Sequence, residues 1–122
     1  MIKVVGAALI QNEEGKYLAE RLNKEIVGGV LVPPGGKLEE NESVRECIIR
    51  ELKEELNIDV EITKLEAITE EKYEDGYWIF VLYGAKIIGG TPTIMEQGKI
   101  LEIKWVDISE IKNANSIKWV RN

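Results

Sequence analysis

Val44, Cys47, Ile48, Leu52 and Leu56 fall on one stripe when each position advances roughly 100° about an axis, the periodicity of an amphipathic α-helix. The spacing predicts a helix through "RECIIRELKEEL", residues 45–56. Ser43 followed by Glu46 matches a capping box, Asn41 is a competing cap, and Asn57 marks the stop. Elsewhere the pattern alternates or runs continuously apolar, which predicts strands. Residues 2–10 form the first, "NEEG" turns on Asn12 and Gly15, and "KYLAERL" returns as its hairpin partner. Residues 23–29 read as a loop and "VLV" as a short strand. "PPGG" reads as a tight turn, its prolines excluding helix and its glycines supplying backbone freedom. Beyond the helix, "IDVEITKLEAITEE" alternates as a long strand, "YEDG" turns, and "YWIFVLYGAKI" is apolar enough for a central strand. "GGTPT" opens a loop, "ILEIKWV" is the last strand, and "DISEIKN" is a short helix starting at Asp107 or Ser109. The ending "SIKWVRN" has too little context to assign. A chain of 122 residues suits one domain, and this order of elements predicts an α/β or α+β sandwich, a mixed sheet with one major helix.

The helix carries an anomaly. Glu51 and Glu55 lie on the edge of its apolar stripe and Glu54 one step further round, whereas Glu46 and Lys53 project from the opposite face. Glu51 and Glu55 are also four residues apart, close enough to repel, and partial burial would raise their pKa values. Something must compensate them. The remaining composition narrows the choice. A net charge of -6 disfavours nonspecific nucleic-acid or anionic-membrane binding, although a small anionic substrate can bind through a metal. There is no histidine, so no scheme built on a Ser/His or Cys/His pair or on a His-ligated metal applies. The single cysteine, Cys47, permits no internal disulfide and reads as a packed apolar residue. No apolar run approaches the ~20 residues of a membrane span, and "MIKVVGAALI" reads as a strand, not a leader; a soluble, cytoplasmic protein is the expectation.

Reading backward from the helix supplies the compensation. Gly36, Glu42, Arg50, Glu51, Leu52, Glu54, Glu55 and Ile58 match the pattern G-x5-E-x7-R-E-U-x-E-E-x-G-U, where U is a bulky apolar residue. Only Asn57 departs, standing where the pattern has glycine, and Asn is the next most tolerated type in the left-handed conformation that follows a helix end. The chain therefore resembles the Nudix hydrolase family over a motif of 23 residues, and the order of surrounding strands agrees over most of its length. The resemblance implies a Nudix fold, an α/β/α sandwich around a central mixed sheet. It also implies divalent-metal hydrolysis of a nucleoside diphosphate linked to another group, with Mg²⁺ as the ion and Mn²⁺ as a substitute.

The chemistry of the residues agrees with that implication. Mg²⁺ takes oxygen ligands and bridges phosphate oxygens, and it would relieve the repulsion among Glu51, Glu54 and Glu55 and lower the pKa of a coordinated water. By the same resemblance the Gly36 carbonyl is a further ligand and Arg50 orients a box glutamate through an ion pair. Glu54 or Glu51 is the general base. The resemblance implies Glu96 as an additional metal-binding or catalytic glutamate, with Glu102 competing and a solvated loop charge as the alternative, and Glu42 as a structural partner; Glu39 and Glu40 read as solvated acids. Arg21 is placed to contact phosphate, a bland surface arginine being the alternative, and Gly35 joins it at the substrate. Leu31 occupies a substrate-side position where relatives often carry an aromatic, so Tyr77 or Trp78 can supply stacking, although both more often pack in a sheet, as Trp105 is expected to. The short chain points to nucleoside triphosphates, cleaved to monophosphate and pyrophosphate. An ADP-ribose-type substrate and a noncatalytic nucleotide-binding domain are the alternatives. A homodimer is expected by analogy with relatives that pair through sheet edges or the terminal segment.

Overall fold

In a computed structural model, residues 1–23 and 29–121 are described, and they build two sheets clasping one long helix. The strands are β1 (Ile2–Leu9), β2 (Tyr17–Leu22), β3 (Leu31–Val32), β4 (Gly35–Lys37), β5 (Asp59–Tyr73), β6 (Gly76–Gly89), β7 (Ile100–Val106) and β8 (Lys118–Trp119), with helix α1 at Val44–Leu56. One sheet runs β4-β1-β6-β5-β8 and the other β3-β2-β7. The first is mixed because β1 lies parallel to β6, in register from Ile2↔Tyr77 to Leu9↔Gly84, while its other pairings are antiparallel.

Alternation along β1 explains the layering. Ala8 and Ile10 face α1 and join Ile48, Leu52 and Leu56 with Leu18 of β2 and Ile100 of β7 in the main core. Ala7 and Leu9 face the other way, against Leu82, Ala67, Ile108 and Ile117. A strand covered on both faces reads as a continuous apolar run, as this one does. The second outer layer is thin: the short helix expected at "DISEIKN" is a single 3₁₀ turn, Ile108–Glu110, with Asp107 as its N-cap, and another follows at Ala114–Ser116. The unassigned end contributes β8, which pairs with β5. Among the described residues no helix is long and apolar enough to cross a membrane.

Helix α1 begins and ends as its sequence dictates. The Ser43 hydroxyl accepts from the Glu46 N–H while the Glu46 carboxylate accepts from the Ser43 N–H, and the last turn closes on Asn57 at φ 54°. Asn41, the competing cap, instead takes a left-handed conformation in the preceding loop.

Two local expectations fail. The 2–10 and 16–22 segments do turn on Asn12 and Gly15, whose φ is 79°, but they do not form a hairpin ladder. A lone Gln11↔Tyr17 bridge joins them, after which β1 enters one sheet and β2 the other. Each strand has an apolar face that a different layer buries, so the tertiary arrangement outweighs the local turn. "PPGG" is not a tight turn either: Gly35 and Gly36 are extended in β4, antiparallel to β1. Part of the loop expected at 23–29 lies outside the described residues.

Candidate active site

The carboxylates of α1 sort themselves by depth. Glu55 is fully buried at 0% exposure, not on the edge of the stripe as its spacing suggests. Glu51 is nearly so, with its side chain 13% exposed, and Glu54 is 54% exposed. Arg50 gathers the outer part of the cluster. Its Nε donates to Glu42 Oε1 at 2.6 Å and its Nη2 to Glu42 Oε2 at 3.2 Å, a two-toothed grip that only a guanidinium can make. Its Nη1 donates to Glu51 Oε1 at 2.7 Å and Glu54 Oε2 at 3.3 Å and lies 3.4 Å from Glu39. These bonds, with one from the Glu39 N–H, hold the Glu42 carboxyl down at about 2, well below the usual range.

Glu51 is pinned from the other side by strand β4. A side-chain carbon on Gly36 would sit 2.3 Å from the Glu51 carboxyl carbon, so the carboxylate fills the space that glycine leaves. Gly35 is required by the neighbouring strand instead, since a Cβ there would lie 2.0 Å from the Gly6 carbonyl oxygen. The Cys47 thiol donates to the Gly36 and Lys37 carbonyls at 3.4 and 3.5 Å, bringing the end of β4 against the helix. Burial pushes that thiol up to about 11, which leaves it un-ionised and suits the packing role expected of it.

The inner part of the cluster is built around Glu55. The loop between β6 and β7 is stitched to the end of α1 by Thr93 N–H donating to the Leu56 carbonyl and Met95 N–H to the Glu55 carbonyl, both at 2.9 Å. This stitching serves two helix-end carbonyls and carries Glu96 and Lys99 to the site. Lys99 Nζ donates to Glu55 Oε2 at 2.8 Å and lies 3.7 Å from Glu96 Oε1. Across from them stands a residue that the motif does not contain: Glu20 of β2, 1% exposed, whose carboxyl meets that of Glu55. Burial is the main reason the Glu20 carboxyl rises to about 9, with Glu55 adding to it. Burial also raises Glu55, to about 7, against the pull of Lys99. Glu20 was detectable in the sequence as the polar member of an inward face, since Leu18, Glu20 and Leu22 alternate along β2. Lys99 left no such signal, because only the fold of the loop brings it to the helix.

The other expected residues lie as follows. Arg21 is paired with Glu102 across the β2–β7 ladder, Nε at 3.3 Å and Nη2 at 3.2 Å, and donates to the Gly29 carbonyl. This pairing occupies both Arg21 and the rival acid. Leu31 is buried against Ala19, Val106 and Ile111 and so presents no side chain to a base. Trp105 packs against the main core. Trp78 has the richest surroundings: its ring stacks on Phe80, meets Tyr73 edge-on, and carries Lys3 and Lys37 over its face at 4.8 and 5.1 Å. A groove of about 370 Å³ is lined by Ile2, Lys3, Val4, Lys37 and Leu38. Another depression, of about 200 Å³, lies among Leu9, Tyr17, Glu66 and Gly84, and neither it nor the groove is lined by an α1 carboxylate.

Among the described residues no three carboxylates converge as a ready-made metal cluster; Arg50 and Lys99 hold them instead. Their chemistry nonetheless fits a hard dication. Glu51, Glu54, Glu55 and Glu96 offer only oxygen donors, the Gly36 carbonyl is held against the same helix by the Cys47 thiol, and buried Glu55 Oε1 has no hydrogen-bond partner among the described residues. A mixed-sheet sandwich whose one long helix displays clustered glutamates, one of them backed by a glycine of the flanking strand, defines a class, the α/β sandwiches of the Nudix type. The chain belongs to the NUDIX domain family, whose model matches residues 2–122. Over 71 residues it is 32% identical to the 8-oxo-dGTP diphosphatase of Proteus vulgaris, covering 57% of this chain and 63% of that protein. Over 62 residues it is 40% identical to the CTP pyrophosphohydrolase of Escherichia coli, covering 51% and 45%. The chain spans from about a third to somewhat under two thirds of the length of the curated relatives it matches. A MutT NUDIX hydrolase from Burkholderia pseudomallei superposes with a TM-score of 0.83 over 93% of this chain and 88% of the other, at 23% identity, which establishes the shared fold.

Proposed function

We propose that this protein is a divalent-metal pyrophosphohydrolase that cleaves nucleoside triphosphates to monophosphate and pyrophosphate. The observation that carries the reading is the double confinement of Glu51, by Arg50 on one side and the empty face of Gly36 on the other, beside buried Glu55. Such confinement places an anionic oxygen ahead of any ligand, the preorganisation that phosphoryl transfer depends on. The names of the Proteus and Escherichia relatives, both of which act on nucleoside triphosphates, support the same substrate class.

Mg²⁺ bound by Glu51, Glu55, Glu96 and the Gly36 carbonyl would neutralise the phosphates and make water more acidic there. The chain's own residues do the rest. Glu54 is the carboxylate best placed to take the proton from the attacking water, because it is exposed and bound to Arg50 only at 3.3 Å, whereas Glu51 is held at 2.7 Å. Water adds to phosphorus, the bridging P–O bond breaks, and pyrophosphate leaves. The one cysteine and the acidic surface fit a cytoplasmic setting.

A panel of nucleotides incubated with the purified chain and Mg²⁺, with products separated chromatographically, tests the proposal. Monophosphate and pyrophosphate in equal amounts from at least one triphosphate are expected. Intact triphosphates alongside cleaved ADP-ribose would reject the substrate class, and tight binding without turnover across several metals would reject the enzyme.

A further inference from the structure

The motif accounts for the helix carboxylates but not for what surrounds Glu55. Glu20 enters from the second sheet, between β3 and β7, where it pairs with Val32 and Ile103 in the ladders. It is 99% buried by its 1% exposure, and its carboxyl points into the space occupied by that of Glu55. Glu20 Oε2 and Glu55 Oε1, both buried, lack a hydrogen-bond partner among the described residues. Glu51 reaches Glu55 from the next turn of the helix. Among the described residues one ammonium, Lys99, stands against Glu20, Glu55 and Glu96, bonded to Glu55 Oε2 at 2.8 Å and carried on a loop. Arg50 is committed to the outer carboxylates.

A buried carboxylate pair that serves only packing is disfavoured, since an apolar pair of similar size would avoid the desolvation. Oxygen atoms turned inward without donors are instead the donor set that a hard cation uses. A lysine is a tethered point charge on a flexible stem, able to neutralise one carboxylate and then swing aside. Its side chain is 36% exposed, so it has solvent to swing into.

Resting on the metal-dependent reading above, we propose that Glu20 is a further carboxylate of the dication site, contributed by the second sheet, and that Lys99 competes with the ion for Glu55. The sandwich then closes on the ion from both sheets, with the helix between them.

Binding of Mn²⁺ alone to the purified full chain, followed by the loss of the free-ion paramagnetic resonance signal, separates the parts. Glu20→Gln is isosteric and should weaken Mn²⁺ binding by about tenfold or more, the scale on which support for a metal site acts. Lys99→Gln should tighten it several-fold and enlarge the rise in unfolding temperature that Mn²⁺ produces. Affinity within twofold of wild type in Glu20→Gln, or unchanged or weaker affinity in Lys99→Gln, overturns the inference. If Glu20→Gln does not fold, as judged by circular dichroism, Glu20→Asp is read on the same scale, since it keeps the charge and retracts it by one methylene. A wild-type chain that binds Mn²⁺ and cleaves triphosphates while both variants match it defeats this inference alone; a wild-type chain that binds no Mn²⁺ defeats the proposed function with it.

Discussion

Replacing Gly36 by alanine is the most direct probe of how the fold sets the site. Gly36 is extended within β4 and has no positive φ, so alanine meets no backbone strain and the entire effect is steric. The new Cβ would stand 2.3 Å from the Glu51 carboxyl carbon and 2.5 and 2.7 Å from its two oxygens, where ordinary contact begins at 3.4 Å. The carboxyl must therefore retreat by about 1.1 Å, or the strand must do so in its place. A shift of that size pulls Glu51 from the position that its 2.7 Å bond to Arg50 defines. Misplacement of a reacting group by about 1 Å can cost roughly 100-fold in rate, and that is the expected fall in kcat. Stability should fall much less, by about 1–3 kcal/mol for overpacking at a side chain that can rotate away. The assay pairs steady-state hydrolysis of the best nucleotide substrate with thermal unfolding. Two controls bracket it. Gly98→Ala, with nothing among the described residues within 4 Å of its Cβ, should be silent, and Gly35→Ala, which meets backbone at 2.0 Å, should lower the unfolding temperature most. A Gly36→Ala enzyme with kcat within twofold of wild type would refute the argument that glycine is there to seat Glu51.

Three further outcomes follow from the same contacts. Glu55→Gln keeps the shape but removes the buried charge, so hydrolysis should drop by about 100- to 1000-fold, equivalent to about 3–4 kcal/mol of lost transition-state stabilisation; unchanged turnover would remove Glu55 from the site. Asn57→Ala puts a Cβ-bearing residue without a helpful side chain at φ 54°, and should cost about 1 kcal/mol in denaturant unfolding, whereas Asn57→Gly should match or slightly exceed wild type. In EDTA, stability should decline as pH rises from about 5 to about 9: Glu20 and Glu55, ordinarily near 4.5, are raised to about 9 and about 7 mainly by burial, so over those windows the unfolded chain ionises before the folded one. Glu42 acts oppositely, stabilising above its ordinary value and losing that contribution only as pH falls toward about 2. Thermal midpoints that stay level or climb over the alkaline range would show that the inner carboxylates are not held protonated.

How far the sequence reached depended on whether a feature is decided by neighbours in the chain. Helix α1 was legible because its stripe, its Ser43–Glu46 box and its Asn57 stop are all local, and each appears in the structure. The long strands β5 and β6 were legible for the same reason. What failed was pairing. The turn at Asn12–Gly15 forms, yet nothing in residues 2–22 shows that the two strands diverge into different sheets, because the partners that draw them apart, β6 and β7, lie more than fifty residues away. "PPGG" misled similarly: glycines adopted to let backbones approach look identical, in sequence, to glycines adopted to turn a corner.

The site shows the same division. A spacing motif selects residues that share one helix and one flanking strand, and Gly36, Arg50, Glu51, Glu54 and Glu55 are of that kind. It is blind to groups delivered by other elements. Glu20 comes from the opposite sheet, and Lys99 from a loop whose position is set by backbone bonds to the last turn of α1. The buried state of Glu55 follows from this second set, because β2 and the 91–98 loop close over the helix edge that periodicity alone leaves open to solvent. That closure changes the physics of the carboxylate: on an exposed edge its repulsion with Glu51 is screened and tolerable, whereas inside the sandwich it requires a cation at contact distance. Lys99 meets that requirement with one charge, and several acidic oxygens remain for a dication to satisfy.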